Sequence, residues 1–166
     1  MQQTVQEDAK KEIMEGVEGK YLTFVLCNEE YGLEILKVRE IISMIDVTTV
    51  PQTPDFIKGV INLRGKVIPV IDLRLKFGMP ETDYTKETCN IVVDVQGLLM
   101  GIVVDTVSEV LDIAEADIEP PPSFGSKIAT DFILGMGKVK GKVIILLDIG
   151  KILSAEELAT VEQAGA

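Results

Sequence analysis

Carboxylates are the side chains of this 166-residue chain whose type and spacing could support acid–base chemistry, because the sequence contains no histidine. Without histidine, the commonest general base, the usual catalytic triad and phosphotransfer to a histidine within the chain are excluded. Asp72 and Asp148 could be an acid–base pair. Each, however, ends an apolar run and precedes a short helical pattern, so we predict that each caps that turn through backbone amides. This leaves no catalytic residue.

Other side chains are candidates for contacts with a protein partner. Arg64 stands at a predicted hairpin tip, either as a solvated turn residue or as a planar five-donor group that grips carboxylates or carbonyl oxygens. Glu40 and Glu109 belong either to a solvated helical face or to a partner contact. Phe124 lies in a loop rich in proline, serine and glycine, where we expect it to tuck back over the molecule rather than protrude as an anchor.

The elements that position these residues come from an internal repeat. The stretch 56–78 contains two apolar runs around Arg64-Gly65, which predicts a β-hairpin, and the stretch 132–153 has the same pattern. Matching positions include Gly59 and Gly135, Gly65 and Gly141, Asp72 and Asp148, and, upstream, Glu40 and Glu109. The repeat cores, about 31–78 and 100–153, predict two small β subdomains that pack across a shared apolar core.

Composition limits the classes of function. The net charge of −11 opposes binding to nucleic acid, and the sequence has no phosphate-binding P-loop pattern. The absence of an apolar run long enough for a signal peptide or a membrane span predicts a cytosolic protein. We expect no metal and no cofactor. Cys27 and Cys89 lie in strand-like contexts, and both are interpreted as reduced, buried thiols.

Both ends of the chain are polar. Residues 1–19 are predicted to be a flexible polar arm, since Ile13, Met14 and Val17 give only a short apolar stripe. The main domain would span 20–153. Ser154 and Glu157 have the spacing of a capping box, so residues 154–166 are predicted to be a terminal helix and tail.

These motifs resemble the CheW family of bacterial chemotaxis coupling proteins. The resemblance rests on EYGLEILKVREI, on FIKGVINLRGKVIPVIDLRLKFG and on MGIVVDTVSEVL, which occur in this order. Its most specific part is NLRG followed by an apolar strand and DLR. The resemblance implies two small SH3-like β-barrels of five strands each, packed across a hydrophobic core, with a C-terminal helix.

The resemblance also implies a function. Members of the family are non-enzymatic adaptors that join the cytoplasmic tips of methyl-accepting chemoreceptors to the C-terminal regulatory domain of the chemotaxis histidine kinase. This chain would then be a cytoplasmic protein recruited to membrane receptor arrays through its partners, without inserting into the membrane. Other coupling proteins are a further candidate partner.

Family positions associated with the receptor face match Val38, Glu40, Lys58, Gly59, Arg64, Cys89 and Val107. For Val38, Gly59 and Val107, core packing or turn geometry is the alternative interpretation. Glu119 and Phe124 match a kinase contact. Glu119 is acidic where a basic residue can occur in the family, so a salt bridge carried over from the family would have the wrong sign.

A function from another class stays open on the sequence alone. The groove between the two subdomains could be the pocket of a small-molecule-binding β-barrel. Such a pocket needs converging polar or titratable groups, whereas the sequence offers valine, isoleucine and leucine with one hairpin arginine. The polar content of that groove separates the two interpretations.

Overall fold

The computed structural model describes residues 19–122, 131–154, 157 and 159–161. The predicted polar arm, residues 1–19, lies outside these residues except for Gly19, and Phe124 lies outside them as well. No helix among the described residues is long and apolar enough to cross a membrane.

The described part of the chain is mainly β, as predicted, and its strands form two sheets. The strands are β1 (Lys20–Leu26), β2 (Glu29–Glu34), β3 (Val38–Ser43), β4 (Ile57–Leu63), β5 (Lys66–Asp72), β6 (Cys89–Val95), β7 (Leu98–Val104), β8 (Thr106–Asp112), β9 (Ile118–Glu119), β10 (Ile133–Val139) and β11 (Lys142–Leu147). A short helix, α1 (Leu73–Lys76), follows β5. Three 3₁₀ turns span Ile35–Lys37, Glu115–Asp117 and Ile149–Lys151.

The sheets exchange strands between the two repeats. The first sheet has the order β8-β1-β2-β11-β10-β9, and the second has the order β3-β6-β7-β5-β4. Strand β2 pairs in parallel with β11, and β7 pairs in parallel with β5. Each sheet therefore combines the beginning of one repeat with the final hairpin of the other. The first sheet has six strands rather than five, because the two-residue β9 pairs with β10.

Tight two-residue turns connect the hairpins. Both residues of Arg64-Gly65 have positive φ, as do both residues of Lys140-Gly141. Such turns match the right-handed twist of the strands they join. The turn between β1 and β2 uses Cys27 and Asn28, also with positive φ. Cys27 is consequently exposed and Cys89 only partly buried, so the interpretation of both as buried thiols was wrong.

The largest hydrophobic cluster draws residues from both sheets, and we call it the inter-sheet core. Its fully buried members include Phe24 and Leu33 of the first sheet and Ile91 and Ile102 of the second. Each sheet also covers a smaller cluster on its other face. The second-sheet cluster contains Ile61, Ile68, Val70, Val92 and Val103, and the first-sheet cluster contains Ile113, Ile144 and Leu146.

Polar contacts fix the connections between elements. Asp72 accepts a hydrogen bond from the Leu75 amide at 3.3 Å, and Asp148 accepts one from the Gly150 amide at 3.1 Å, which confirms both as caps. At the C-terminus, Ser154 and Glu157 exchange amide-to-side-chain hydrogen bonds of 2.8 and 3.1 Å, the predicted capping box. Residues 157 and 159–161 are helical, and Val161 is buried in the inter-sheet core.

An ion pair lies at the connection between the two sheets. Arg74 of α1 donates to both carboxylate oxygens of Asp105, at 2.6 and 2.5 Å. Asp105 connects β7 of the second sheet to β8 of the first, and it also accepts from the Cys27 amide at 2.9 Å. The hydrogen bond from Arg74 holds the pKa of the Asp105 carboxyl below its usual value. The connection between the sheets is therefore fixed by charge as well as by apolar packing.

Candidate functional site

The tip of the β4–β5 hairpin projects Arg64 away from the core. Asn62 Oδ1 accepts a hydrogen bond from the Gly65 amide at 2.8 Å, which fixes the turn. The Arg64 side chain is 72% exposed, and it donates to Glu40 Oε1 on β3, which lies at the other end of the strand order of the second sheet. This hydrogen bond raises the pKa of the Arg64 guanidinium. Two residues predicted to face a receptor are thus brought into contact.

A surface cavity of about 600 Å³ lies beside this ion pair. Its lining combines aliphatic side chains of the second-sheet cluster with charged groups, namely Arg39, Glu40, Leu63, Arg64, Lys66, Ile68, Val92, Asp94, Gly97 and Leu99. Asp94 accepts from Arg39 at 2.5 Å and from the Gly97 amide at 2.8 Å. The hydrogen bond from Arg39 lowers the pKa of the Asp94 carboxyl.

The charged groups of the cavity are matched as ion pairs. Glu40 pairs with Arg64, and Asp94 pairs with Arg39, which leaves Lys66 as an additional cation. No group of three or more residues suited to hold a metal ion occurs among the described cysteine and acidic positions. The cavity therefore combines two internal ion pairs and one further cation with an aliphatic lining.

Lys58 lies on β4, yet its ammonium group points to the linker 81–88. It contacts Glu81 at 3.2 Å and lies 5.8 Å from the centre of the Tyr84 ring. Tyr84 in turn donates from its hydroxyl to the buried Asp72 at 2.9 Å. Burial, together with the nearby Asp72 charge, raises the pKa of the Tyr84 hydroxyl. Lys58 therefore anchors part of this linker.

Gly59 has a structural requirement for glycine. Its φ is +143°, and a Cβ atom there would lie 2.0 Å from the Thr48 carbonyl oxygen. Thr48 and Val60 exchange two backbone hydrogen bonds of 2.8 Å, which draws the segment containing Thr48 against β4. The alternative interpretation of Gly59 as a residue required by backbone geometry therefore has direct support.

Three further predicted receptor residues lie at the margin of the inter-sheet core. Val38 begins β3 in the second sheet, Val107 belongs to β8 in the first, and Cys89 begins β6. All three are partly buried and pack against the inter-sheet core. The Cys89 thiol donates to the Glu87 carbonyl oxygen at 3.1 Å. They lie apart in sequence but share the apolar boundary between the sheets.

On the predicted kinase side, Glu119 lies in the short β9 and accepts from Lys138 at 2.8 Å. This hydrogen bond lowers the pKa of the Glu119 carboxyl. The neighbouring basic group is therefore Lys138 of β10, while residue 119 itself carries negative charge. Phe124 is outside the described residues.

Several residues lie in elements, or make contacts, that the sequence did not predict. Glu40 and Glu109 lie on strands β3 and β8 rather than on a helical face. The ion pairs Arg39–Asp94 and Arg74–Asp105 were not anticipated. Each joins residues far apart in sequence, so local spacing contains no signal for it. Arg74 stands in the DLR motif, which is the one sequence feature that could have drawn attention to it.

Two β-sheets around a common core, with charged hairpin tips, define a mainly β class of protein. Comparison with known proteins specifies this class. The family model described as CheW-like domain matches residues 20–157. The chain therefore belongs to the CheW-like domain family.

Relatives match over most of their length. The chain is 47% identical over 148 residues to a chemotaxis protein CheW of Klebsiella aerogenes, covering 89% of each. It is 35% identical over 137 residues to a chemotaxis protein CheW of Helicobacter pylori, covering 82% of each. A crystal structure of a scaffolding protein CheW from Thermoanaerobacter tengcongensis matches with a TM-score of 0.77 and 40% identity, covering 84% of this chain and 94% of that one.

Proposed function

We propose that this chain is a non-enzymatic adaptor that couples the cytoplasmic tips of chemoreceptors to the chemotaxis histidine kinase. It would act in the cytoplasm, recruited to receptor arrays through these partners. Membership of the CheW-like family supports this proposal. The observation that carries it is the exposed Arg64–Glu40 pair at the rim of a partly apolar cavity, because the paired groups and the aliphatic lining can both serve a protein interface.

The receptor side of the proposal uses this hairpin tip. Receptor tips are helical hairpins, and a helix can be bound through an apolar stripe flanked by charged side chains. Arg64 offers the exposed charge, and Val38, Cys89 and Val107 would contribute the apolar margin between the sheets. Gly59 would act indirectly, by allowing β4 to approach Thr48.

The kinase side would use the other sheet, near Glu119 and the segment containing Phe124. The regulatory domain of the kinase is the expected partner there. Separate surfaces for two partners would allow one molecule to bridge them, and many such weak contacts would reinforce each other in an array.

The test is a pair of titrations followed by a mixing experiment. A receptor cytoplasmic tip and the kinase C-terminal region are each titrated into the chain by calorimetry. The preformed receptor complex is then mixed with the kinase region and sized by analytical ultracentrifugation. A ternary species is expected. Binding of neither partner would contradict the adaptor function, and competition between the partners would contradict separate surfaces.

A further inference from the structure

Asn90 is a fully buried polar residue in an aliphatic environment. It lies on β6, between Ile42 of β3 and Val103 of β7, and its relative exposure is 0%. Side chains alternate along a strand, so Asn90 points to the same face as Val92, a member of the second-sheet cluster. An amide is therefore placed against isoleucine, valine and leucine side chains.

Neither polar atom of this amide has a hydrogen-bond partner. Among the described residues, Asn90 Nδ2 and Oδ1 are the only buried side-chain nitrogen and oxygen atoms without a hydrogen-bond partner. Thr23, which is similarly buried, bonds through its hydroxyl to both the carbonyl and the amide of Glu109, at 2.8 and 3.1 Å. Native proteins rarely leave buried donors and acceptors unpaired, because removing them from water is unfavourable. We therefore expect Asn90 to have a hydrogen-bond partner.

The backbone of the sheet leaves space for this amide. A Cβ atom at Gly101 of the neighbouring β7 would lie 2.7 Å from Asn90 Oδ1. Gly101 has no positive φ, so backbone conformation does not require glycine there. Packing explains the glycine instead, because the missing Cβ leaves room for the Asn90 side chain. Asn90 and Gly101 thus form a polar position built into an apolar cluster.

Next to this position the chain is irregular. After β3 ends at Ser43, residues 44–47 have no regular secondary structure, and Met44 and Val47 pack against the second-sheet cluster. Irregular segments carry backbone groups that need partners outside a ladder. These groups lie on the chain directly beyond Ile42, which pairs with Asn90.

In the first sheet, the position that corresponds to Asn90 is Tyr21, and it is accessible to solvent. Tyr21 precedes Leu26 by five residues, as Asn90 precedes Val95, and Leu26 and Val95 close equivalent hairpins with Glu29 and Leu98. Tyr21 lines a surface cavity of about 560 Å³, whereas Asn90 is enclosed. Solvent can reach Tyr21 directly, whereas Asn90 is closed to bulk solvent.

We propose that Asn90 anchors an internal water site within the second-sheet cluster. Water accepts a hydrogen bond from Nδ2, donates one to Oδ1, and extends the network to the backbone of residues 44–47. The ligand is neutral because no charged side chain belongs to the cluster that surrounds the amide. A buried water commonly makes about three hydrogen bonds, so this water needs one bond beyond the two to the Asn90 amide. The site does not depend on the proposed function.

The test uses the full chain labelled with ¹⁵N. Water-selective nuclear Overhauser spectra should show cross-peaks from water to the Asn90 side-chain amide, with the sign of a long-lived contact. A high-resolution crystal structure should show water within about 3 Å of Nδ2 or Oδ1. The Thr23 hydroxyl, which is satisfied by backbone groups, is the internal control and should show no such water contact.

Two variants test whether the Asn90 amide holds the water. Asn90→Leu removes both polar atoms at similar size and should abolish the water cross-peaks, and Gly101→Ala should shift or abolish them by displacing the amide. The unsubstituted chain decides the proposal even if a variant fails to fold. An Asn90 amide without water contacts, bonded in the crystal directly to a protein group, would overturn it.

Discussion

The two repeat-related hairpin tips have the same backbone but different side-chain chemistry. The turn residues Arg64 and Lys140 each have φ of 50°, and the glycines that follow have φ of 84° and 78°. Arg64 pairs with Glu40, whereas the corresponding Lys140 and Glu109, both among the described residues, form no ion pair with each other. The two repeats therefore share the backbone conformation of the turn, but the Arg64–Glu40 ion pair gives one tip a different surface from the other.

A second contrast concerns glycines at equivalent positions. A Cβ at Gly59 would meet the Thr48 carbonyl oxygen at 2.0 Å with φ of +143°, whereas a Cβ at Gly135 would meet Ile118 Cγ2 at 2.6 Å and the Glu119 carbonyl oxygen at 2.9 Å. Gly59→Ala should therefore lower the free energy of unfolding by about 3 kcal/mol, and Gly135→Ala by about 1–2 kcal/mol. Urea denaturation measures both. Equal losses would remove the distinction between the two positions.

The connections between the sheets differ as well. Asp105, in the connection after β7, pairs with Arg74, while the corresponding Leu36 after β2 is 49% exposed. Asp105→Asn should destabilise the fold by about 2 kcal/mol, because it leaves a partly buried guanidinium without its carboxylate. Leu36→Ala should change stability by less than about 0.5 kcal/mol. A small effect of Asp105→Asn would mean that apolar packing alone holds the sheets together.

The same contact predicts a dependence on pH. The Arg74 hydrogen bond lowers the pKa of the Asp105 carboxyl in the folded state. The stabilisation is therefore present above the unfolded pKa of about 4, and it is lost as the pH falls through the folded value. Between neutral pH and the acid range, the Asp105→Asn variant should lose less stability than the unsubstituted chain, as measured by thermal unfolding. Parallel pH profiles would contradict this.

The two capping aspartates, Asp72 and Asp148, should show the smallest difference in the stability lost on substitution. Both accept from backbone amides, but Asp72 also accepts from the Tyr84 hydroxyl at 2.9 Å. Asp72→Ala should cost about 1.5 kcal/mol and Asp148→Ala about 1 kcal/mol. In a Tyr84→Phe background the extra cost of Asp72→Ala should disappear, which a double-mutant cycle measures. If the cost of Asp72→Ala is the same in the Tyr84→Phe background, the difference between the two aspartates arises from the cap and not from the Tyr84 hydrogen bond.

Local patterns predicted the features that depend on local chemistry. The hairpin at Arg64-Gly65, the caps at Asp72 and Asp148 and the Ser154–Glu157 capping box follow from neighbouring residues. The exchange of strands between repeats was not predicted, because the parallel pairing of β2 with β11 joins residues more than 100 positions apart, such as Tyr31 and Ile145.

The candidate site was predictable only in part. The resemblance selected Arg64 and Glu40, and the structure brings them together. It could not show that Lys58 engages Glu81 and Tyr84, since side-chain direction depends on the path of the linker. Cys27 was misplaced because cysteine seldom occupies a turn position with positive φ.

We propose that the tip containing Arg64, and not the repeat-related tip containing Lys140, binds the receptor. The most direct test compares Arg64→Asp with Lys140→Asp by calorimetric titration of a receptor cytoplasmic tip, with circular dichroism as the control for folding. We predict that Arg64→Asp weakens binding by a factor on the order of 30 or more, and that Lys140→Asp changes it by less than about threefold. Unchanged affinity for Arg64→Asp, or equal losses for both variants, would show that the tip containing Arg64 is not the specific receptor site.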